Sequence, residues 1–222
     1  DPDNNQPRLI MADWLDERGD SRGEFIRIQI RLDGDPLSAP ERYRLRNQQD
    51  AMLESYRSRW NGPLHRHLNL TTPLKVRAHR GAIRGWQYHR GFVSELNIDA
   101  ETFYRWHGQI LELGPIQHLQ LWNLHGPRDA VLSMPEWKQM RSLRVRGNFP
   151  NRRHDGNLME AIANCEFLSD LRCLDLSGRY VTHDAAGQMI NSKNLQNLER
   201  LIVRGCPMTV LTARRLHEWY GE

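Results

Sequence analysis

The rhythm of apolar positions along the chain changes near residue 70. In the first part, Ile10 with Trp14 and Met11 with Leu15 are apolar pairs four apart, which predicts a short helix ending at Gly19 and Asp20. From Phe25 onward, Ile26, Ile28, Ile30 and Leu32 alternate with Arg27, Gln29 and Arg31. That is the period of a half-buried strand, although Ile26/Ile30 and Ile28/Leu32 also satisfy helical spacing, and periodicity alone favours the strand. After the turn-rich segment Asp33-Gly34-Asp35-Pro36, Tyr43, Leu45, Met52, Leu53, Tyr56 and Trp60 are spaced as an amphipathic helix over 41–60.

Beyond residue 90 one pattern recurs. Leu198-x-x-Leu201-x-Val203-x-x-Cys206-x-Met208 is an almost complete leucine-rich-repeat signature, with apolar residues turned inward from a short strand and a bend residue at the ninth position. Leu171-x-x-Leu174-x-Leu176-x-x-Arg179, Met140-x-x-Leu143-x-Val145-x-x-Asn148 and Ile116-x-x-Leu119-x-Leu121-x-x-Leu124 repeat it, and Val93-x-x-Leu96-x-Ile98 is an imperfect first copy. Aligning Leu96, Leu119, Leu143, Leu174 and Leu201 gives intervals of 23, 24, 31 and 27 residues, centred on the period of about 20–29 for such repeats. The long interval holds Pro150 to Gly156, a natural insertion, and helical patterns over 101–113, 155–167 and 184–191 fall between the strands. The expected fold is α/β: a leucine-rich-repeat solenoid with a parallel sheet inside and helices outside, capped by a small helical N-terminal domain.

The stretch Pro7 to Asp20 (PRLIMADWLDERGD) followed by Arg22-Gly23-Glu24-Phe25-Ile26-Arg27, with Trp60-x-Gly62-Pro63-Leu64 and Arg90-Gly91-Phe92-Val93, resembles the repeat-companion domain that precedes the repeats in a family of bacterial leucine-rich-repeat proteins. The resemblance covers nearly the whole chain. It implies a helical companion domain over 1–73, a solenoid of about five repeats over 74–222, helix rather than strand at Phe25 to Leu32, and a first helix truncated ahead of Asp1. It carries over no established activity, so it identifies architecture far better than function.

Composition narrows the function classes. The hydrophobic fraction of 39%, about 46% with the 16 glycines added, is that of a globular chain, and the net charge of +4 is a mild excess. No apolar run is long enough to span a bilayer, so no membrane partner is expected. Three cysteines without a C-x-x-C pair argue against a disulfide framework or a zinc knuckle and fit a cytoplasmic protein. His65-x-His67 lacks a third ligand nearby, and the chain holds no phosphate-binding loop, nucleophile elbow or H-E-x-x-H pair, so neither a cofactor nor an enzyme is expected.

Two surfaces remain as candidates. Strand residues opposite the inward leucines should face out: Glu95, Asn97 and Asp99; His118, Gln120 and Trp122; Ser142, Arg144 and Arg146; Cys173, Asp175 and Ser177; Arg200, Ile202 and Arg204. Within them, His118, Gln120, an exposed Trp122, Arg144, Arg146, Asp175, Arg200 and Arg204 form the expected partner-binding set, because Trp and Arg dominate binding hot spots. The expected partner is a protein. The alternative is nucleic acid, held by the most basic window of the chain, in which Lys75, Arg77, Arg80, Arg84 and Arg90 interleave with Trp86 and no acid intervenes.

Overall fold

The computed structural model describes residues 4–60, 83–124, 127–147 and 152–220. Three helices come first: α1 (Gln6–Asp16), α2 (Arg22–Gly34) and α3 (Ala39–Trp60). A six-stranded sheet follows in strict sequence order: β1 (Ile83–His89), β2 (Phe92–Asp99), β3 (His118–Trp122), β4 (Ser142–Arg146), β5 (Cys173–Asp175) and β6 (Arg200–Ile202). Between the strands lie α4 (Ala100–Leu111), α5 (Arg128–Leu132), α6 (Arg152–Asn164) and α7 (His183–Ile190), and α8 (Val210–Tyr220) comes last. Two 3₁₀ turns, Pro135–Gln139 and Glu166–Leu168, complete the connections.

Strands β2 to β6 are parallel, and their register puts Leu96, Leu119, Leu143, Leu174 and Leu201 opposite one another as successive Cα partners. The first four are 0–2% exposed, whereas Leu201 on the last strand is only partly buried. Ile98, Leu121 and Val145 make a second inward column, and the helices supply Phe103, Ile110, Leu158, Ile162, Ala185 and Met189 to the same core. The sheet therefore has one helix-covered face and one open face. Two bend residues tie their strand–helix unit to the one before: Cys206 Sγ donates to the Leu176 carbonyl at 3.1 Å, and Arg179 donates to the Gly147 carbonyl at 2.9 Å while pairing with buried Asp155 at 3.4 Å.

The sheet is mixed, which corrects the expected all-parallel arrangement. β1 runs antiparallel to β2 through a two-residue turn in which Arg90 and Gly91 both have positive φ, 49° and 89°, the geometry that matches strand twist in tight hairpins. Gly91 is required for a second reason. A Cβ there would overlap the Cγ1 of Ile26, so the turn seats directly on α2.

Residues 25–32 form helix, as the family resemblance implies and against the strand suggested by alternation. The alternation arises because α2 is buried on two sides. Ile26 packs with Ala12 and Leu15 of α1 and with Phe92, whereas Phe25 and Ile28 pack with Leu45, Met52 and Trp60 of α3. Two apolar stripes separated by a polar one read as period two. The large apolar residues exposed on α1 are Ile10, Met11 and Trp14, the last covered by the Arg18 guanidinium at 3.8 Å, so of the two apolar pairs only Leu15 enters the core. The boundary expected at 73/74 and the motif at 62–64 lie outside the described residues.

The burial difference within the leucine column has a measurable consequence. Leu174→Ala should lower the unfolding free energy by about 2–5 kcal/mol, as for fully buried leucines, and Leu201→Ala by distinctly less, on the order of 1 kcal/mol. Urea unfolding of the two variants measures the contrast. Equal losses would mean that β6 is as deeply packed as β5.

Candidate functional site: the open face of the sheet

Strand alternation puts Glu95, Asn97, Asp99, His118, Gln120, Trp122, Ser142, Arg144, Arg146, Cys173, Asp175, Arg200 and Ile202 opposite the leucine column. Asp99 and Asp175 are buried, Ser177 and Arg204 lie just past the ends of their strands, and several of these residues are engaged with one another. Asp175 lies beside Arg144 in the β4–β5 register. Its carboxylate accepts from Arg144 Nε at 2.8 Å, from both terminal nitrogens of Arg146 at 2.9 and 3.3 Å, and from the Ser177 amide at 2.8 Å. Only 4% of Asp175 is exposed. Burial pushes its carboxyl up, but the hydrogen bonds from Arg146 and Ser177 together outweigh that and hold it below the usual carboxylate range. Arg144 also donates to Gln120 at 3.3 Å, and Arg146 to the Ser177 carbonyl at 3.3 Å. The two guanidinium groups are thus fixed from beneath, with Arg144 still exposed to solvent.

Trp122 is half-buried, which corrects the expectation of an exposed ring. Its Nε1 donates to Asn97 Oδ1 at 2.7 Å, and the Arg84 guanidinium lies 4.0 Å over the ring. Arg84 reaches across β2 because the β1–β2 register slips between Ile83 and Gly85, leaving it unmatched at a bulge, the irregularity that re-aims a side chain. Next to Trp122, Asn123 in a left-handed conformation donates to Asp99 Oδ2 at 2.8 Å, while Asp99 Oδ1 caps α4 by accepting from the Glu101 amide.

His118, the first residue of β3, is exposed at the other end of the strand with its ring partly desolvated. That desolvation lowers its pKa below the usual imidazole value; Glu95 opposes the shift and His89 adds to it. Glu95, His118, Leu119, Gln120, Ser142 and Arg144 border a shallow depression of about 110 Å³, smaller than the roughly 300 Å³ at which small-molecule pockets begin. Arg200 and Arg204 on and just past β6 are exposed and make no ion pair among the described residues.

The basic window divides differently. Arg90 is committed to Asp33 at the end of α2, its Nε donating at 2.7 Å with His89 alongside at 3.3 Å, and hydrogen bonds from these two side chains hold Asp33 below its ordinary pKa against the effect of burial. Trp86 pairs with Leu96 across the hairpin and packs against the main core. Arg84 sits on Trp122. Lys75, Arg77 and Arg80, like His65 and His67, lie outside the described residues. Among the described residues no cluster of three His, Cys, Asp or Glu side chains could hold a metal ion, and no helix is long and apolar enough to cross a membrane.

The leucine alignment was enough to place Asp175 next to Arg144, since residues that follow aligned leucines face each other on adjacent strands. It could not reveal the Arg84–Trp122 stack, which depends on a bulge. No family model, curated protein or solved structure matches this chain.

Because the folded pKa of Asp175 is depressed, its contribution to stability is fully present above the unfolded value of about 3.9 and is lost as pH falls through the folded value. Asp175→Asn should cost about 1.5–3 kcal/mol at neutral pH, the scale of hydrogen bonds to a charged group. Urea unfolding of both proteins at neutral pH and in steps below pH 4 should show the difference narrowing. A gap independent of pH would mean that the charge of Asp175 contributes nothing.

Proposed function

We propose that the chain is a non-enzymatic recognition module, a short leucine-rich-repeat solenoid capped by a helical companion domain, whose open concave face binds a protein partner. The observation that carries the reading is the set of arginines positioned before any partner arrives. Arg144 and Arg146 rest on buried Asp175, and Arg200 and Arg204 stand free two strands further along. Side chains already held in place lose less freedom on binding, and the parallel strands hold the distances between them. The depression at His118, Gln120 and Arg144 suits a protruding partner side chain better than a small substrate.

Nucleic acid is the weaker reading. Within the basic window, Arg84 and Arg90 have partners inside the fold and Trp86 packs against the core instead of offering a stacking surface. A protein partner requires none of these residues.

The test is affinity capture from a cell extract with the full chain as bait. Arg144→Ala combined with Arg200→Ala should weaken capture of the site-dependent partner by on the order of 2 kcal/mol, measured well below a melting transition that falls modestly because buried Asp175 loses one of its donors. Trp122→Ala is a poor substitute, because removing a packed ring also costs stability. Recovery of the same proteins by wild type and variant, or of none by either, would overturn the proposal. Salt titration with single-stranded and duplex oligonucleotides checks the other reading, for which log K should fall with log salt at about −0.7 to −0.9 per phosphate contacted.

A further inference from the structure

The last strand of the sheet is unfinished in three independent respects. Among the described residues, no strand pairs with the outer edge of its backbone. β6 ends the strand order, and hydrogen bonds link the Arg200 amide to Arg172 and the Ile202 carbonyl to Leu176, both toward β5. Strand alternation then turns the N–H and C=O of Leu201 the other way, away from β5. Its inward side chains are incompletely covered. Leu201 and Val203 are only partly buried, although the four leucines in register with Leu201 are 0–2% exposed, and Val210, at the start of the helix that follows, is 77% exposed. A terminal repeat that closes its own core presents a polar outer face instead. Its outward side chains carry unopposed positive charge. Arg200 and Arg204 make no ion pair among the described residues, while Glu199 is taken by Arg172 at 2.8 Å and Asp175 by Arg144 and Arg146.

We propose that the β6 edge is a strand-addition site for an acidic, extended segment of another protein. The segment lies alongside β6 and exchanges main-chain hydrogen bonds with Leu201. It turns apolar residues toward the helix-covered side, level with Leu201 and Val203, and carboxylates toward the open face, level with Arg200 and Arg204. Main-chain pairing supplies affinity and the alternate side chains supply selectivity. The shortness of β6 is no obstacle, because β5 also spans only three residues, Cys173–Asp175, and pairs on both sides. Arg200 and Arg204 both guard the edge against indiscriminate pairing and select a partner of opposite charge, the usual double role of charge on an exposed strand. The site shares Arg200 and Arg204 with the open face proposed above, but it rests on the backbone edge and does not depend on that reading.

The probe is a short fluorescein-labelled peptide alternating Glu and Val, titrated into the full chain and followed by anisotropy. A Lys–Val peptide is the charge control, and two Glu–Val peptides N-methylated along one edge or the other are the backbone controls. The Glu–Val peptide is expected to bind at least about tenfold more tightly than the Lys–Val peptide. Methylation should abolish binding on one edge only, and the Leu201 amide should gain protection from hydrogen exchange. Arg200→Glu with Arg204→Glu should reverse the preference between the two charged peptides. Absence of Glu–Val binding, equal binding of both charged peptides, or binding indifferent to methylation on either edge would overturn the proposal. So would concentration-dependent dimerisation of the chain alone that protects the Leu201 amide, since the edge would then belong to a second copy. Each outcome is read from the peptide and the chain alone, so it stands whatever the capture experiment returns.

Discussion

The in-register stacking of one leucine per parallel strand is the constraint on which the rest of the sheet depends. Leu96, Leu119, Leu143, Leu174 and Leu201 share a level, and a slip of one residue on any strand would exchange its core face for its open face. Because the register is held by burial, positions on the open face are held as well. Arg144 meets Asp175 only because Leu143 meets Leu174 one residue earlier. The polar arrangement of the open face is in this sense a consequence of the apolar arrangement beneath it.

The same logic explains how the helical segment is joined to the sheet. Hairpin β1–β2 starts the sheet with an antiparallel pair, and its turn is where α2 docks. Gln29 receives the Gly91 amide at 2.7 Å and donates to the Tyr88 carbonyl at 3.3 Å, while Asp33 holds Arg90 and His89. Gln29 is buried, and a buried amide side chain is tolerated only when its donor and acceptor are both satisfied. Hydrogen bonds and close packing at Gly91 therefore fix the orientation of the helices against the first strands, and the apolar contacts of Ile26 and Phe92 contribute the burial.

What could be read from the sequence follows from what each signal measures. Spacing revealed the leucine column, because a near-constant interval reports a repeated strand–helix unit directly. It also located the helices at 100–111 and 183–190 to within a few residues. Alternation misled at 26–32, since it reports the number of apolar stripes on an element and a helix buried on two sides carries two. The hairpin was missed because Arg90-Gly91 lacks the Asn or Asp that usually marks a tight turn. Short α5 and the 3₁₀ turn after it carry too few residues to show a period. At the candidate site the Arg144–Asp175 neighbourhood was legible, and the partner of Trp122 was not, since it depends on a local slip in pairing rather than on the regular register.

Charge and burial together give the open face a direction. At its β2 end the carboxylates of Glu95 and Asp99 sit on the strand, with Asp99 occupied in capping α4 and holding Asn123. In the middle, Asp175 is buried beneath Arg144 and Arg146, so its negative charge offsets theirs from below while their outer surfaces stay available. At the β6 end Arg200 and Arg204 have no such counterweight. The positive charge is thus least compensated at β6, and Leu201 on that strand is the one member of the leucine column that is only partly buried. If the open face binds a partner as proposed, the least compensated charge coincides with the least covered strand, and that coincidence makes the last strand, rather than the centre of the sheet, the place where a bound segment would be oriented.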